Sequence, residues 1–328
     1  AAPAGVEAGA PRRSRRTGVI IGAVAAIAAV VVGVVMFTGG DSGTGSESGD
    51  TSTVGSTTGE STGATTPSES TATTTGADAV TVEVCGADAT GISAMAIDDG
   101  TLYVLSATGV ATIDAASVAS CAVDVAAAAP AAFTWGGAAS HIDALGDRMA
   151  FGGPSGGALA IADRADVIEC ASFVGDLAMT GPSQVFAITA AGVESVDVGG
   201  GTCTSTVEVQ AGALAARHIE ATGTRVVVAG STPEGTPAVQ MSIRGEWRDP
   251  VELPQLTGVS AIAGCGDAVC VFDTDTASML EVSEDGVVGP VRPFTGVVEV
   301  VGSASDGGVV YLLARTDAAT LQLVRVIV

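Results

Sequence analysis

Six cysteines offer the clearest chemistry in this sequence, because all of them follow an apolar run at residues 18–38 and disulfides persist in exported segments. Their positions within the repeats described below favour three pairs, which are Cys85–Cys121, Cys170–Cys203 and Cys265–Cys270. A zinc site is the alternative, but no paired CxxC motif and no neighbouring histidine supports it. The sequence therefore predicts structural disulfides.

The stretch GGPSGG at residues 152–157 matches the G-x-S-x-G pattern, in which Ser155 would be the nucleophile. That pattern works on a turn between a strand and a helix, whereas this one falls between two predicted strands. The chain's two histidines, His141 and His218, are too few for a histidine-based metal centre or acid–base pair. We therefore expect a loop and no catalytic residue here, and we attribute His218 to solvent exposure or a local hydrogen bond.

Asp273 and Asp275, in the stretch FDTDTASMLE, begin like a calcium-binding EF-hand loop. Ala277 and Ser278 stand where that loop needs an oxygen ligand and a glycine, which excludes an EF-hand. A looser Ca²⁺ site, gathered from carboxylates of several loops, stays open as an alternative. The sequence by itself predicts no bound metal and no cofactor.

Phe133 and Trp135 lie in an insertion, AAAAPAAFTWGGAASH, that follows the first repeat. In an exposed loop, such aromatic side chains would be good anchors for a ligand. Packing against the side of the folded body is the favoured interpretation, because isolated aromatic residues are usually buried.

Residues 12–16 carry four arginines, and no charged residue follows until residue 41. A helix over residues 18–38, at about 1.5 Å per residue, would be roughly 30 Å long, the thickness of a bilayer's hydrocarbon core. Because the arginines flank only one end, residues 1–17 are predicted to stay in the cytoplasm and the rest to be exported. A cleaved signal peptide is the alternative, but its apolar region would be shorter and would precede an A-x-A-like site.

Residues 39–78 consist of Gly, Ser and Thr with a few acids and almost no apolar side chain. Such a segment cannot bury enough surface to offset the entropy lost on ordering. We therefore predict a disordered linker that holds a folded body away from the outer face of the membrane.

From residue 79 to residue 328, short apolar runs alternate with Gly- and Asp-rich turns, and the pattern returns about every 41 residues. Each unit reads as a strand, a tight turn, a more apolar strand, a loop and a third strand, and most units add a fourth strand. This spacing is typical of β-propeller blades. The six units begin at Ile92, Ile142, Asp176, Arg217, Val259 and Val297.

The last unit ends after three strands, and an unassigned strand, AVTVEVC at residues 79–85, precedes the first unit. Pairing the two would complete a sixth blade and leave no open sheet edge. The sequence therefore predicts an all-β, six-bladed propeller over residues 79–328. A seventh blade stays open because the step from Ile92 to Ile142 is long. A tandem of immunoglobulin-like sandwiches is a further alternative, which the positions of the tryptophans disfavour.

The stretch TLYVLSATGVATIDAAS in the first unit resembles the YVTN-type, NHL-like propeller repeat of bacterial proteins, in which a Tyr-Val strand precedes a strand ending in Ile-Asp. ALAIADRAD and GVESVDV repeat that ending in the next two units. The acids at this position are Asp114, Asp163 and Asp197, and the later units have Arg244, Ser283 and Arg325. The resemblance implies a propeller fold and an exported location, and it carries over no catalytic residue.

Charge is segregated along the chain, whose formal net charge is −23. The apolar run precedes 35 of the 36 acids but only 9 of the 13 arginines, so the exported part repels nucleic acid and anionic lipid. We predict a membrane-anchored binding module and no enzyme, with the membrane as one partner through residues 18–38 and an extracytoplasmic protein or glycan as the other. The alternative is the sensor ectodomain of a signalling protein, and a propeller enzyme ranks third.

Deletion of residues 41–75 should leave the melting temperature of the folded body unchanged, because a disordered linker contributes no packed surface. Calorimetry of the full chain and of the deletion variant checks this expectation. A clear drop in the melting temperature would mean that the linker packs against the body.

Overall fold

Six antiparallel β-sheets follow one another along the chain in the computed structural model. The structure describes residues 15–16, 19–20, 79–86, 88–133, 135–222, 225–316 and 320–327. Within these residues, helix is confined to the α-helix Ala115–Ala119 and the 3-10 helix Val125–Ala127. The all-β class predicted from the sequence is confirmed.

We number the sheets as blades 1 to 6 and give the strands of each from the inside outward. Blade 1 comprises Ile92–Asp98, Thr101–Ser106, Gly109–Ile113 and Ala129–Pro130. Blade 2 comprises His141–Leu145, Arg148–Gly152, Gly157–Ile161 and Val167–Cys170. Blade 3 comprises Leu177–Met179, Gln184–Thr189, Gly192–Gly199 and Thr202–Gln210.

Blades 4 to 6 repeat this plan. Blade 4 comprises Ala215–Thr222, Arg225–Ser231, Pro237–Ile243, Glu246–Trp247 and Val251–Glu252, the last two both pairing with the third strand. Blade 5 comprises Ala261–Cys265, Ala268–Asp273, Ser278–Ser283 and Arg292–Pro293. Blade 6 comprises Glu299–Asp306, Val309–Arg315, Leu321–Ile327 and Thr81–Gly86.

The inner strands of the six blades form a closed ring. Each packs against the inner strand of the next blade, and that of blade 6 packs against that of blade 1. The long step between blades 1 and 2 contains the two short helices, the outer strand Ala129–Pro130 and loop residues 131–133 and 135–140. The protein is therefore a six-bladed β-propeller, and the seven-bladed alternative is wrong.

Blade 6 is built from both ends of the propeller sequence. Its outer strand, Thr81–Gly86, pairs antiparallel with Leu321–Ile327, and the register aligns Glu83 with Arg325. The side chains of these two residues form an ion pair across the strands. The predicted closing strand is confirmed, and it leads directly into the inner strand of blade 1.

Hairpins close with residues that adopt positive φ, although the sequence contains no asparagine. Asp99 and Gly100 have φ of 51° and 76°, and Gly307 and Gly308 have φ of 57° and 86°. Positive φ at both central residues is the type I′ geometry, whose twist matches that of the flanking strands. Asp-Gly and Gly-Gly pairs therefore take the place of Asn-Gly in these turns.

The core between the blades consists mainly of small and aliphatic side chains. In the inner strand of blade 1, Ala94, Met95, Ala96 and Ile97 are all fully buried. Four consecutive buried residues mean that both faces of this strand are covered, since successive side chains of a strand point to opposite faces. Close packing of this kind suits a chain whose aromatic content is 3%.

Carboxylates join the inner strands of consecutive blades in the first half of the ring. Each accepts a hydrogen bond from a backbone N–H of the next blade. The three bonds run from Gly146 to Asp98 (2.6 Å), from Met179 to Asp143 (2.5 Å) and from Ile219 to Asp176 (2.7 Å). These contacts fix the positions of neighbouring blades more precisely than apolar packing alone, because hydrogen bonds are directional.

The environment of Asp176 disfavours the charged form of its side chain. It is 3% exposed, and burial raises the pKa of its carboxyl well above the ordinary value, although the backbone N–H groups of Ile219 and Leu177 act in the opposite direction. The nearby charge of Asp143 raises the pKa further.

Two short strands precede the propeller sequence. Arg15–Arg16 pairs with the inner strand of blade 1, and Val19–Ile20 pairs with the inner strand of blade 6. The described residues include no helix of the length and hydropathy needed to cross a membrane. Apart from Val19–Ile20, which is a strand, the predicted membrane helix at 18–38 lies outside the described residues, as do the linker before residue 79 and most of residues 1–17.

Removal of residues 79–86 should destabilise the whole propeller, because it exposes the edge of Leu321–Ile327 and reopens the ring. The deletion also removes Cys85, so a matched control replaces Cys85 and Cys121 with alanine and keeps the strand. The control should lose roughly 4 kcal/mol of unfolding free energy, as expected for a disulfide between residues 36 positions apart. The deletion should lose clearly more in chemical denaturation, and equal losses would contradict the role of the strand.

Candidate functional site

Two open clefts lie next to each other between blades 1 and 2. The first, which we call the glycine-rich cleft, has a volume of about 510 Å³ and is lined by residues 154–157, by residues 169–171 and by Trp135, Gly137 and Ala138. The second, the blade 1 cleft, has a volume of about 570 Å³ and is lined mainly by residues 105–110, 130–131, 133 and 135–139. Trp135 belongs to both linings, so one indole ring connects the two clefts.

Close packing around Trp135 holds its ring in place. The indole lies 5.6 Å from the ring of Phe151, centroid to centroid, and a Cβ atom on Gly137 would be 2.2 Å from its Cζ2 atom. Only glycine fits at position 137 without moving the ring. Trp135 is nevertheless half-buried, while Phe133 is buried with its ring 5.8 Å from that of Tyr103. The packing interpretation therefore describes Phe133 well, whereas Trp135 also faces open space.

Close packing of backbone against backbone requires glycine at two positions of the GGPSGG loop. A Cβ atom on Gly153 would lie 2.0 Å from the carbonyl oxygen of Ala138, and one on Gly157 would lie 1.8 Å from that of Phe151. The loop thus approaches the insertion and its own blade more closely than any side chain would allow. Its tip, Pro154 and Ser155, is exposed and forms part of the glycine-rich cleft.

No base is positioned at Ser155 among the contacts that the structure describes. The nearest histidine in the sequence, His141, has its Nδ1 atom 2.9 Å from the hydroxyl of Ser140. A nucleophilic serine needs a base within hydrogen-bond reach and an oxyanion hole on a strand-to-helix turn. The loop joins two strands of blade 2, so its contribution here is the bare backbone and the two exposed residues at its tip.

The side chain of Asp273 holds the loop at Thr257 and Gly258 in place by hydrogen bonds. It is fully buried and accepts hydrogen bonds from the backbone N–H of Thr257 (2.7 Å), the hydroxyl of Thr257 (2.9 Å) and the backbone N–H groups of Gly258 and Asp275. Burial alone would raise its pKa, but these hydrogen bonds outweigh burial and hold the pKa of Asp273 below the ordinary value. Within the described ranges, His, Cys, Asp and Glu side chains form no group suited to binding a metal ion.

His218 lies inside the protein and not at its surface. It is 1% exposed, and its Nε2 atom is 3.1 Å from the carbonyl oxygen of Val259, one repeat further along the chain. Burial lowers the pKa of His218 to about 4, so the ring is neutral at pH 7 and its Nε2–H can donate to that oxygen. The hydrogen-bond explanation of this residue is therefore right, and the solvent-exposure explanation is wrong.

Three disulfides are present, and they are the pairs that the repeat positions favoured. Cys170, in the wall of the glycine-rich cleft, is bonded to Cys203 on the outer strand of blade 3. This bond joins blades 2 and 3 next to the cleft. The other two are Cys85–Cys121, which joins blades 6 and 1, and Cys265–Cys270, which lies within the first hairpin of blade 5.

The sequence singled out Trp135 and the GGPSGG loop separately, and the structure brings them together. Glu169 and Gly137 were missed as cleft residues. No periodic signal marks either one, since Glu169 resembles any exposed strand residue and Gly137 has its role only through the indole above it.

No protein-family model and no curated protein matches this chain. Among solved structures, it is similar to virginiamycin B lyase from Staphylococcus aureus, at 12% identity over 70% of this chain and 74% of that one, with a TM-score of 0.43. BamB from Moraxella catarrhalis gives 13% identity over 70% and 81% of the two chains and a TM-score of 0.37. The WD40 domain of coronin from Toxoplasma gondii gives 12% identity over 70% and 66%, and a TM-score of 0.42. The propeller fold rests on the strand pairings given above and agrees with the YVTN-type resemblance.

Acidification should destabilise the protein through His218, whose pKa falls from an ordinary 6.5 to about 4 on folding. Its contribution is complete above pH 6.5 and is lost as the pH falls towards 4, because only the unfolded chain takes up the proton in that range. The full loss is roughly 3 kcal/mol, at about 1.4 kcal/mol per pKa unit. The His218→Gln variant keeps a donor for Val259 and should show a flatter pH profile of unfolding free energy between pH 7 and 5. Parallel profiles would rule out this assignment.

Proposed function

We propose that this chain is a membrane-anchored, extracytoplasmic binding module that holds its ligand at the two clefts around Trp135. The observation that carries the proposal is the half-buried indole shared by two adjacent open clefts. Aromatic side chains fixed in this way supply large contact area at a small entropic cost, and they dominate many binding sites.

The clefts are built before any ligand arrives. Backbone contacts at Gly153 and Gly157 hold one wall, and the Cys170–Cys203 disulfide holds another next to it. A preformed site avoids the entropy of ordering loops during binding, so more of the contact energy becomes affinity.

Charge in the clefts favours a neutral or cationic ligand. Glu169 is the one charged residue among the described residues that line the glycine-rich cleft, and the described lining of the blade 1 cleft is uncharged. A polyanion would therefore meet no countercharge in either cleft. A neutral glycan or an uncharged to basic protein segment fits this lining best, in keeping with the acidic balance of the exported sequence.

Binding is favoured over catalysis because the described residues that could act as an acid or a base already make hydrogen bonds to other groups of the protein. Asp273 supports the loop at Thr257, His218 is hydrogen-bonded inside the body, and His141 is hydrogen-bonded to its neighbour Ser140. An acid–base mechanism needs such groups within reach of one bound substrate.

The membrane anchor and the exported location are supported by sequence. Residues 18–38 have the length and the one-sided arginine flank of a membrane helix that leaves its N-terminal end in the cytoplasm. The presence of three disulfides in the propeller fits an oxidising compartment outside the cell membrane.

Trp135→Ala should abolish most of the affinity for any ligand found with an array of neutral oligosaccharides or an array of uncharged and basic peptides. A loss of about tenfold or more is expected, as for a central aromatic anchor. The chain offers a matched control in Trp247→Ala, because Trp247 is also half-buried and also packs against a phenylalanine, Phe186.

Surface plasmon resonance with the immobilised full chain and both variants gives the affinities, and their melting temperatures show that each is folded. Binding that survives Trp135→Ala, or that is lost equally in both variants, would contradict the assignment of the clefts.

A further inference from the structure

A further cleft lies between blades 3 and 4, at the end of the blades opposite the clefts around Trp135. Its walls include the turn at residues 180–184, which follows the inner strand of blade 3, and the Arg244–Gly245 turn, which follows the third strand of blade 4. The GGPSGG loop instead follows a second strand. Because successive strands of an antiparallel sheet run in opposite directions, turns after first and third strands lie at one end of a blade and turns after second strands at the other.

This blade 3–4 cleft has a volume of about 360 Å³, at the lower end of the range of small-molecule sites. It is lined by Thr180, Gln184 and Phe186 from blade 3 and by Val226, Ser242 and the Arg244–Gly245 turn from blade 4. Phe186 and Val226 are buried, and Trp247 packs on Phe186 in a T-shaped contact with the ring centroids 6.3 Å apart. A small ligand would therefore meet a well-packed aromatic and aliphatic wall.

Arg244 brings to this cleft a positive charge that forms no ion pair with a carboxylate of the described residues. Nine arginines follow the apolar run, and six of them form ion pairs with Asp or Glu. Arg164, Arg217 and Arg244 form none within the part of the chain that the structure describes. The first three units of the repeat have aspartate at the position of Arg244, so blade 4 reverses the charge there.

The backbone of Arg244 has a conformation that arginine seldom adopts. Arg244 and Gly245 have φ of 56° and 87° and connect Ile243 to its paired residue Glu246, which is a two-residue type I′ turn. Asn, Asp and Gly are the usual residues at the first position of this turn, since a larger side chain is strained at positive φ. Strained residues cluster at ligand-binding sites, so a strained arginine without an ion pair in a cleft points to a ligand.

Ser242 and Gln184 supply further hydrogen-bond donors. Ser242 lines the cleft although it is only 2% exposed, and its hydroxyl makes no hydrogen bond to a described residue. A buried hydroxyl without a partner is unfavourable, and an acceptor atom of a ligand would satisfy it. The hydroxyl of Thr180 donates to Gln184 Oε1 at 3.0 Å, which leaves the Nε2–H groups of the amide as donors.

We propose that the blade 3–4 cleft is a second binding site, which takes a small aromatic monocarboxylate. The carboxylate accepts hydrogen bonds from the Arg244 guanidinium and the Ser242 hydroxyl, and the aromatic ring lies on Phe186 and Val226. A guanidinium matches a carboxylate in shape and charge, and charge-assisted hydrogen bonds of this kind are strong. One arginine suits one negative charge, and the acidic balance of the sequence disfavours a polyanion. This site is separate from the clefts around Trp135 and does not depend on them.

The test measures binding of benzoate, phenylacetate, 3-phenylpropanoate and indole-3-acetate to the full chain in detergent micelles by ligand-detected NMR, with empty micelles as the blank. Each carboxylate is compared with its primary amide, which has a similar shape and no charge. At least one carboxylate should bind saturably, and its amide should bind about tenfold more weakly or worse, because it loses the charge-assisted hydrogen bonds to Arg244.

Arg244→Gln should weaken binding of that carboxylate about tenfold or more and leave binding of the amide unchanged. Arg164→Gln is the matched control, because Arg164 is also exposed, forms no ion pair with a described residue and lines neither this cleft nor those around Trp135. It removes the same charge and should leave the affinity unchanged. Arg244→Gly fits the positive φ of the turn without strain, so it tests the loss of the guanidinium in a folded protein and should bind as weakly as Arg244→Gln.

Ser242→Ala distinguishes a ligand contact from a structural contact. Since the hydroxyl of Ser242 makes no hydrogen bond to a described residue, the melting temperature should not fall in this variant. The carboxylate should nevertheless bind about two- to fivefold more weakly, as expected for the loss of one hydrogen bond.

Failure of all four carboxylates to bind would overturn the proposal, as would equal affinities of wild type and Arg244→Gln or of a carboxylate and its amide. Binding that is lost in Trp135→Ala but kept in Arg244→Gln would also overturn it, because the ligand would then lie in the clefts around Trp135. The proposed function is tested independently, since its own assay uses neutral and basic ligands.

Discussion

Closure of the ring is the constraint on which the rest of this structure depends. A four-stranded blade alone exposes both faces and an edge, and the Ala- and Val-rich strands bury their side chains only when blades stand on both sides. Pairing of Thr81–Gly86 with Leu321–Ile327 supplies the last strand from the other end of the sequence. Carboxylates between the inner strands, a disulfide between blades 6 and 1 and another between blades 2 and 3 then fix how the blades pack against one another.

Several glycines matter here because the missing side chain lets neighbouring groups lie directly on the backbone. Gly137, Gly153 and Gly157 allow an indole ring and a loop to lie directly on backbone, which produces clefts with rigid walls. Gly264 does the same inside the ring, where its missing side chain lets blade 4 and blade 6 share a hydrogen bond. Close backbone approach therefore shapes both the clefts around Trp135 and the contact between blades 4 and 6.

The regular repeat made the fold predictable from the sequence. Six units of similar length, turn residues at matching places and one unpaired strand at the start were enough to predict the blades, the closing strand and the pairing of cysteines at unit ends. The site was harder, because Trp135 lies in the connection between blades 1 and 2, Ser155 lies in a loop of blade 2, and no local pattern indicates that they meet. No local pattern indicates what His218 and Asp273 contact either. Their partners, Val259 and Thr257, lie in the connection that leads to blade 5, and only the folded chain shows those contacts.

The closing strand also has a mechanical consequence. The proposed tether joins the propeller at residue 79, so any tension from the cell surface enters through the first residues of that strand. Val80 donates a backbone hydrogen bond to Pro293 of blade 5, the strand itself pairs with blade 6, and Cys85 is bonded covalently to Cys121 in blade 1. A pull on the tether is thus divided among three blades, and the disulfide stops the strand from peeling away. The place where the ring is closed is therefore also the place where force from the tether is distributed over the propeller.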